Sequence, residues 1–189
     1  MVFRLAQCYR WGMNTLDHLN PGELAVLVTP RVEEGKMLEL TALLALRGRV
    51  GVLDGGNSFD AYQVARLLRR RTSQLTEALS RIHVARVFTC YQMLTLLEET
   101  PASAIPHLIL DFLATFYDES VTPAESYRLL GVALGHLNRL RKFAPVIISV
   151  HPPRVHQPDR ERLVEALLEI ADHVFIRETP RPDPPERLL

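Results

Sequence analysis

The chain has 189 residues, 47% hydrophobic and 23% charged, which is the balance of a soluble globular protein large enough to bury a core. Lys plus Arg and Asp plus Glu each number 22, so the formal net charge is zero; this excludes a global attraction to nucleic acid or to an anionic membrane, though not a local basic face. No apolar run reaches the roughly 18 residues needed to cross a bilayer and MVFRLAQCYRWGMN has no signal-peptide core, so a cytoplasmic location and no membrane partner are expected.

Strand and helix signals alternate along the chain. Residues 23–29 (ELAVLVT) form a continuous apolar run, as in a strand buried on both faces. Residues 35–48 are helical and stop at Gly48, a natural C-cap. A second strand, 49–54, ends in the turn DGGNS. Asp60 is placed to cap a helix over 60–71, and 73–81 is a further helical piece. A strand over 82–89 leads to a helix over 90–99, and 107–113 is another buried strand. The longest helix, 122–142, has Thr122 as N-cap and Pro123 at its first position; Leu130, Leu134, Leu137 and Leu140 share one face. A strand over 144–150, a helix over 159–172 capped by Asp159, and a strand over 173–178 complete the series. TPRPDPPERLL, residues 179–189, reads as an extended or disordered Pro-rich tail. Cys8 and Cys90 are far apart, in no metal-ligand spacing, and read as small thiols in a reducing compartment, so no metal site is expected.

This pattern predicts a single α/β domain over 1–178, with a mostly parallel sheet flanked by helices on both faces. In such folds ligands bind beyond the C-terminal strand ends. Four segments lie there: 29–37, 54–60, 111–122 and 149–157. The first has the layout of a phosphate-binding loop, PRVEEGKM (30–37). A working loop reads Gly-x-x-x-x-Gly-Lys-Ser/Thr, with backbone N–H groups cradling phosphate, the lysine reaching its outer oxygens and the hydroxyl binding Mg²⁺. Gly35 and Lys36 fit. Pro30 has no N–H, and Met37 offers no oxygen to a hard cation. Glu33 and Glu34 each add a repulsion of ~1 kcal/mol in water, or ~4 near a protein surface, at about 4 Å from phosphate; Arg31 would offset part of it. No cofactor is expected on this reading, and ATP with Mg²⁺ stands only as the alternative.

Five further segments carry a family likeness: WGMNTLDHLNPGELAVLV (11–28), VLDGGNSFDAYQVARLL (52–68), IHVARVFTCYQMLTLL (82–97), HLILDF (107–112) and HLNRLRKFAPVIISV (136–150). In this order and spacing the chain resembles the RecA-like recombinase ATPases, including the RadA-type recombinases and their shortened paralogues, from about residue 10 to 178. The resemblance implies the RecA-like P-loop NTPase fold, with PRVEEGKM at the Walker A position. It implies that Asp111 is the Walker B-like aspartate, which would hold Mg²⁺ through water, and that His151 stands where an Asn or Gln senses the γ-phosphate. It would place the carboxylate that activates water at Gly56, and glycine is no general base. Read from the residues alone, Asp54 is a turn-forming aspartate, Asp111 serves equally as a strand-end carboxylate with local hydrogen bonds, and His151 is a turn residue before Pro152-Pro153.

With three motif parts altered, the resemblance implies a degenerate, non-catalytic ATPase relative in DNA recombination or repair, working by DNA binding, by binding a recombinase-like partner or by self-assembly. The alternatives are an ATP-binding enzyme, a weak DNA-dependent ATPase using Lys36 and Asp111, and a regulatory domain that binds neither ligand. Candidate DNA contacts are Arg66, Arg69 and Arg70 on one helical face beside Arg71; Arg139, Arg141 and Lys142; and Arg154, with Arg160 and Arg162, in the segment matching the family's second DNA-binding loop. They would touch phosphates of single- or double-stranded DNA without reading bases; otherwise they are solvated helix faces. Phe3 and Ala6 of FRLA match the Phe-x-x-Ala polymerisation motif of the recombinases, or else pack on their own domain.

Overall fold

Six short runs between residues 23 and 176 become the strands of one sheet. The structure is a computed structural model and describes residues 19–29, 35–153 and 158–176. Its elements are β1 (Leu24–Val28), α1 (Gly35–Arg47), β2 (Val50–Asp54), α2 (Ala61–Arg69), α3 (Leu75–Ser80), β3 (Ile82–Arg86), α4 (Cys90–Glu99), β4 (His107–Leu110), α5 (Pro123–Arg141), β5 (Val146–Val150), α6 (Pro158–Glu169) and β6 (His173–Ile176). The sheet has six strands in the order 3-2-4-5-1-6, and every neighbouring pair is parallel. The α/β class, the parallel sheet and the helices on both faces are therefore as the sequence predicts.

Alternate strand residues feed two separate cores. Leu24, Val26, Leu53, Ile109, Val146 and Ile148 pack with α4, α5 and α6. Ala25, Leu27, Val50, Val52, Leu108 and Leu110 pack with α1, α2 and α3. This partition follows from the strand order: the first two connections run toward β3 and the next three run back, so right-handed crossovers place their helices on opposite faces. The chain leaves β1 on one face and its neighbour β5 on the other, which opens a crevice above that pair.

Local caps are where the chemistry puts them. Asp60 accepts the Tyr62 and Gln63 N–H groups, and Thr122 accepts that of Glu125 ahead of Pro123. The N–H of Gly48 closes α1 on the Leu44 carbonyl at 3.0 Å. Asp159 is a correction: α6 starts at Pro158, so Asp159 lies in the first turn, where its charge suits the positive helix end, rather than in the cap position. A second correction concerns β4, which ends at Leu110 instead of 113. Asp111 takes φ 46°, which breaks the strand, and a 3-10 turn, Ala114–Tyr117, follows. β3 is an edge strand with His83 and Val84 exposed.

His107 opens β4 with 5% of its surface exposed. Its ring fills the space beside Gly51, where a Cβ would lie 2.9 Å from Cδ2, and Nδ1 has no hydrogen-bond partner among the described residues. Burial, and then the positive charge of Arg139, hold its pKa below the ordinary histidine value. As pH falls through about 6.5 the unfolded chain takes up this proton while the folded chain resists it, so stability drains away on acidification. Urea unfolding between pH 7 and 5 is expected to show that loss, and a His107→Gln variant is expected to lose less over the same interval. An unchanged pH slope in the variant would acquit His107.

Candidate functional site

The crevice is built from the residues that end β1, β2, β4 and β5. Asp54 ends β2 and is fully buried. Its carboxylate accepts the N–H groups of Ser58 at 3.0 Å and Phe59 at 3.1 Å, and Arg86 Nε at 2.8 Å. Arg86 reaches on to the Phe59 carbonyl at 3.0 Å. Asp54 thus shapes the 55–59 turn and has its negative charge answered there, as a turn-forming residue does. The left-handed residue in that turn is Asn57, at φ 55°. Gly55 and Gly56 are needed for space. A Cβ on Gly55 would lie 2.8 Å from Met93 Cε and 3.0 Å from the Asp111 carbonyl; one on Gly56 would lie 2.5 Å from Asp111 Cβ and 2.6 Å from its Oδ2.

Asp111 therefore sits against the glycine at the position where the RecA-like pattern would carry a second carboxylate. Its left-handed backbone is fixed from β5: its N–H donates to Ser149 Oγ at 2.9 Å, and the next N–H, of Phe112, donates to the Ser149 carbonyl at 3.0 Å. Across the crevice His151 Nδ1 lies 2.7 Å from the Thr29 carbonyl. A carbonyl can only accept, so this bond assigns the proton to Nδ1 and turns Nε2 toward Asp111, 3.8 Å from Oδ2. Tyr117 donates its hydroxyl to the His151 carbonyl at 3.1 Å. Burial, and then the charge of Asp111, push the Tyr117 pKa up, with Arg160 opposing. Asp111 and His151 are each only 4% exposed. Together with Thr29 they close the ends of β1, β4 and β5 on one another.

Pro30, Arg31, Glu33 and Glu34 lie outside the described residues. Gly35 is the first residue of α1. The Lys36 ammonium lies 3.6 Å from Glu39 Oε2, and Glu39 also receives Arg71 at 2.9 Å. Met37 is buried in the core beneath α1, with its carbonyl accepting the Thr41 hydroxyl at 2.8 Å. A magnesium–nucleotide complex held in the manner of a P-loop needs an oxygen at position 37, a lysine reaching back over the loop and a carboxylate facing open space. The chain offers a buried thioether, a lysine beside a glutamate on its own helix and a carboxylate packed on glycine, and these do not fit such a complex. Among the described residues no three His, Cys, Asp or Glu side chains gather as a metal site.

The candidate DNA residues divide in two. Arg66, Arg69 and Arg70 are exposed on α2 and its C-cap, and Lys142 is exposed after α5. Arg139 instead donates to the carbonyls of Leu97, Glu98 and Thr100 at 2.8, 3.2 and 2.9 Å, closing the end of α4. Arg141 donates to the Ile170 carbonyl at 2.7 Å and pairs with Asp172 at 3.2 Å, closing the end of α6. Arg160 is buried among the carbonyls of Phe116, Asp118 and Val121 and the Ser126 hydroxyl. Arg154, Phe3, Ala6, Cys8 and the 179–189 tail lie outside the described residues. Cys90 is buried at the start of α4, where burial raises its thiol pKa.

Sequence reasoning singled out Asp54, Asp111 and His151, read Tyr117 only as a core or loop anchor and missed Arg86 and Ser149; the roles of these three depend on contacts 32 to 38 residues away in the chain. The only sequence signal for them is position, at or just beyond the C-terminal end of a strand. No helix of the described residues is long and apolar enough to cross a membrane. Comparison with protein-family models gives no match, and none of the curated proteins matches the chain.

Proposed function

We propose that the chain is a non-catalytic protein with the RecA-like form of the P-loop fold, acting in DNA recombination or repair by binding DNA, a recombinase-like partner or a further copy of itself. One observation carries the non-catalytic part. At the strand ends Asp111 packs on Gly56, and His151 lies between the Thr29 carbonyl and Asp111, which leaves neither side chain turned to open solvent. Support for DNA binding comes from Arg66, Arg69, Arg70 and Lys142, which stay in solvent; Arg139 and Arg141 leave the contact set because helix ends consume them.

The test is a pair of titrations on one preparation. MgATP is expected to show no saturable binding at micromolar concentration. A fluorescent single-stranded oligonucleotide is expected to bind at low salt and to be released as salt rises. Replacing Arg66, Arg69 and Arg70 together by alanine should flatten the log–log salt slope by about two, at ~0.7 per phosphate contact on a single strand. Micromolar MgATP binding that Lys36→Ala abolishes would overturn the non-catalytic reading. Absence of salt-sensitive oligonucleotide binding would remove DNA from it.

A further inference from the structure

Zero net charge conceals a division between the two faces of the sheet. The segment bearing α1, α2 and α3, residues 35–81, carries eight Lys and Arg against four Asp and Glu. The segment bearing α4, α5 and α6, residues 90–172, carries eleven Asp and Glu against seven Lys and Arg. The segment whose helices pack on one side of the sheet is thus net basic, and the segment whose helices pack on the other is net acidic.

Each excess is concentrated on one helix. On α2 and its C-cap, Arg66 and Arg70 stand four residues apart with Arg69 between them, all exposed. On the same side of the sheet Glu39 is engaged by Lys36 and Arg71, and Asp60 by the N–H groups it caps. On α6, Glu165 and Glu169 stand exposed four residues apart. Of the basic residues of α6, Arg160 is buried and Arg162 lies over the Tyr127 ring of α5 at 5.8 Å. Like charges four apart on a helix repel, so each pair costs its own helix and gains nothing from the other inside one molecule. The two repeats also share a pitch of about 6 Å along the helix axis.

We propose that the α2 face of one copy docks on the α6 face of the next, with Arg66 and Arg70 meeting Glu165 and Glu169. This gives the self-association named above a surface of its own, needing neither nucleic acid nor the Phe3–Ala6 segment. The contact joins two different surfaces, so each added copy leaves one basic and one acidic face open, and the assembly grows as a chain rather than closing as a dimer.

The test follows the mass of the full-length, nuclease-treated protein by sedimentation or light scattering. Mass is expected to rise with protein concentration at ~50 mM salt and to return to the monomer at ~0.5 M, where the Debye length has shrunk to a few ångströms. Arg66→Glu/Arg70→Glu and Glu165→Lys/Glu169→Lys are each expected to be monomeric with unchanged circular dichroism. Mixing the two variants, or combining all four changes in one chain, should restore association, whereas Phe3→Glu should leave it intact. A monomer at low salt throughout, association that survives either reversal, or reversals that fail to rescue each other would overturn the proposal. Loss of association on Phe3→Glu alone would assign it to the N-terminal segment and likewise overturn it. A failure of oligonucleotide binding changes none of these readouts, so the two readings fail separately.

Discussion

Gly56→Ala is expected to lower the unfolding free energy by about 1–3 kcal/mol, the usual cost of overpacking a filled site. The argument is one of rigidity. The new Cβ would lie 2.5 Å from Asp111 Cβ, an atom with no torsion of its own by which to withdraw. Asp111 is moreover held at φ 46° by the bond of its N–H to Ser149 Oγ and of the next N–H to the Ser149 carbonyl. Only backbone movement of the 55–59 turn or of the β4 end can make room, and the turn is itself tied to Asp54 and Arg86. A double-mutant cycle separates this account from a generic glycine effect. In an Asp111→Gly background the obstructing Cβ is gone and the left-handed backbone suits the new residue, so the cost of Gly56→Ala should fall below about 1 kcal/mol. In an Asp111→Ala background the Cβ remains and so should the cost. Equal costs in all three backgrounds would mean that Asp111 is not what Gly56 makes room for.

The same geometry predicts what a carboxylate introduced at position 56 would do. Gly56→Glu places a carboxylate where the RecA-like pattern would have one, but its Cβ meets the same obstacle and its charge meets Asp111. The variant is expected to be less stable than Gly56→Ala and to show no MgATP hydrolysis in a phosphate-release assay. Folded, hydrolytically active protein would show that the crevice opens and that Lys36 and Asp111 still serve a nucleotide.

The parts of the fold that were legible in the sequence are those written in neighbouring residues. Strand runs such as Leu24–Val28 and residues 108–110 are apolar throughout because both faces are covered, and Asp60 and Thr122 cap helices through bonds two or three residues away. Asp54 was legible as a turn residue for the same reason, since two of its partners lie four and five residues on. What local patterns leave out is which distant group a side chain meets. DGG looks like turn chemistry, yet its glycines answer to Met93 of α4 and to Asp111, the latter brought alongside when β4 pairs with β2. HLILD reads as strand to its end, and only the Ser149 contact from β5 turns Asp111 out of it. The arginine runs mislead similarly. ARLLRRR and NRLRK look alike as strings, but Arg139 and Arg141 face helix ends 29 to 42 residues away, while Arg66, Arg69 and Arg70 face water.

Arg160→Met is expected to cost about 3 kcal/mol or more, because it keeps the apolar stem but strips donors from several buried acceptors at once, each worth ~1–3 kcal/mol when left unsatisfied. The guanidinium donates to the carbonyls of Phe116, Asp118 and Val121 and to the Ser126 hydroxyl, joining α6 to the segment between β4 and α5. Arg160→Lys should recover less than half of the loss, since a single ammonium cannot reproduce the span of the planar fork. Urea unfolding measures both, and a cost under about 1 kcal/mol for Arg160→Met would mean that those carbonyls find water instead. A second readout ties this anchor to the crevice. The segment it holds carries Tyr117, whose hydroxyl bonds the His151 carbonyl and whose pKa is raised chiefly by burial. Loss of the Arg160 charge alone raises the Tyr117 pKa further, so if Arg160 keeps the segment packed, the solvent access regained in Arg160→Met must outweigh that effect, and phenolate absorbance should appear at lower pH. That shift should be absent from Arg162→Met, whose guanidinium lies over the Tyr127 ring and touches none of those carbonyls. A buried arginine in a run that looks basic would then be positioning the wall of the site, with no part in holding DNA.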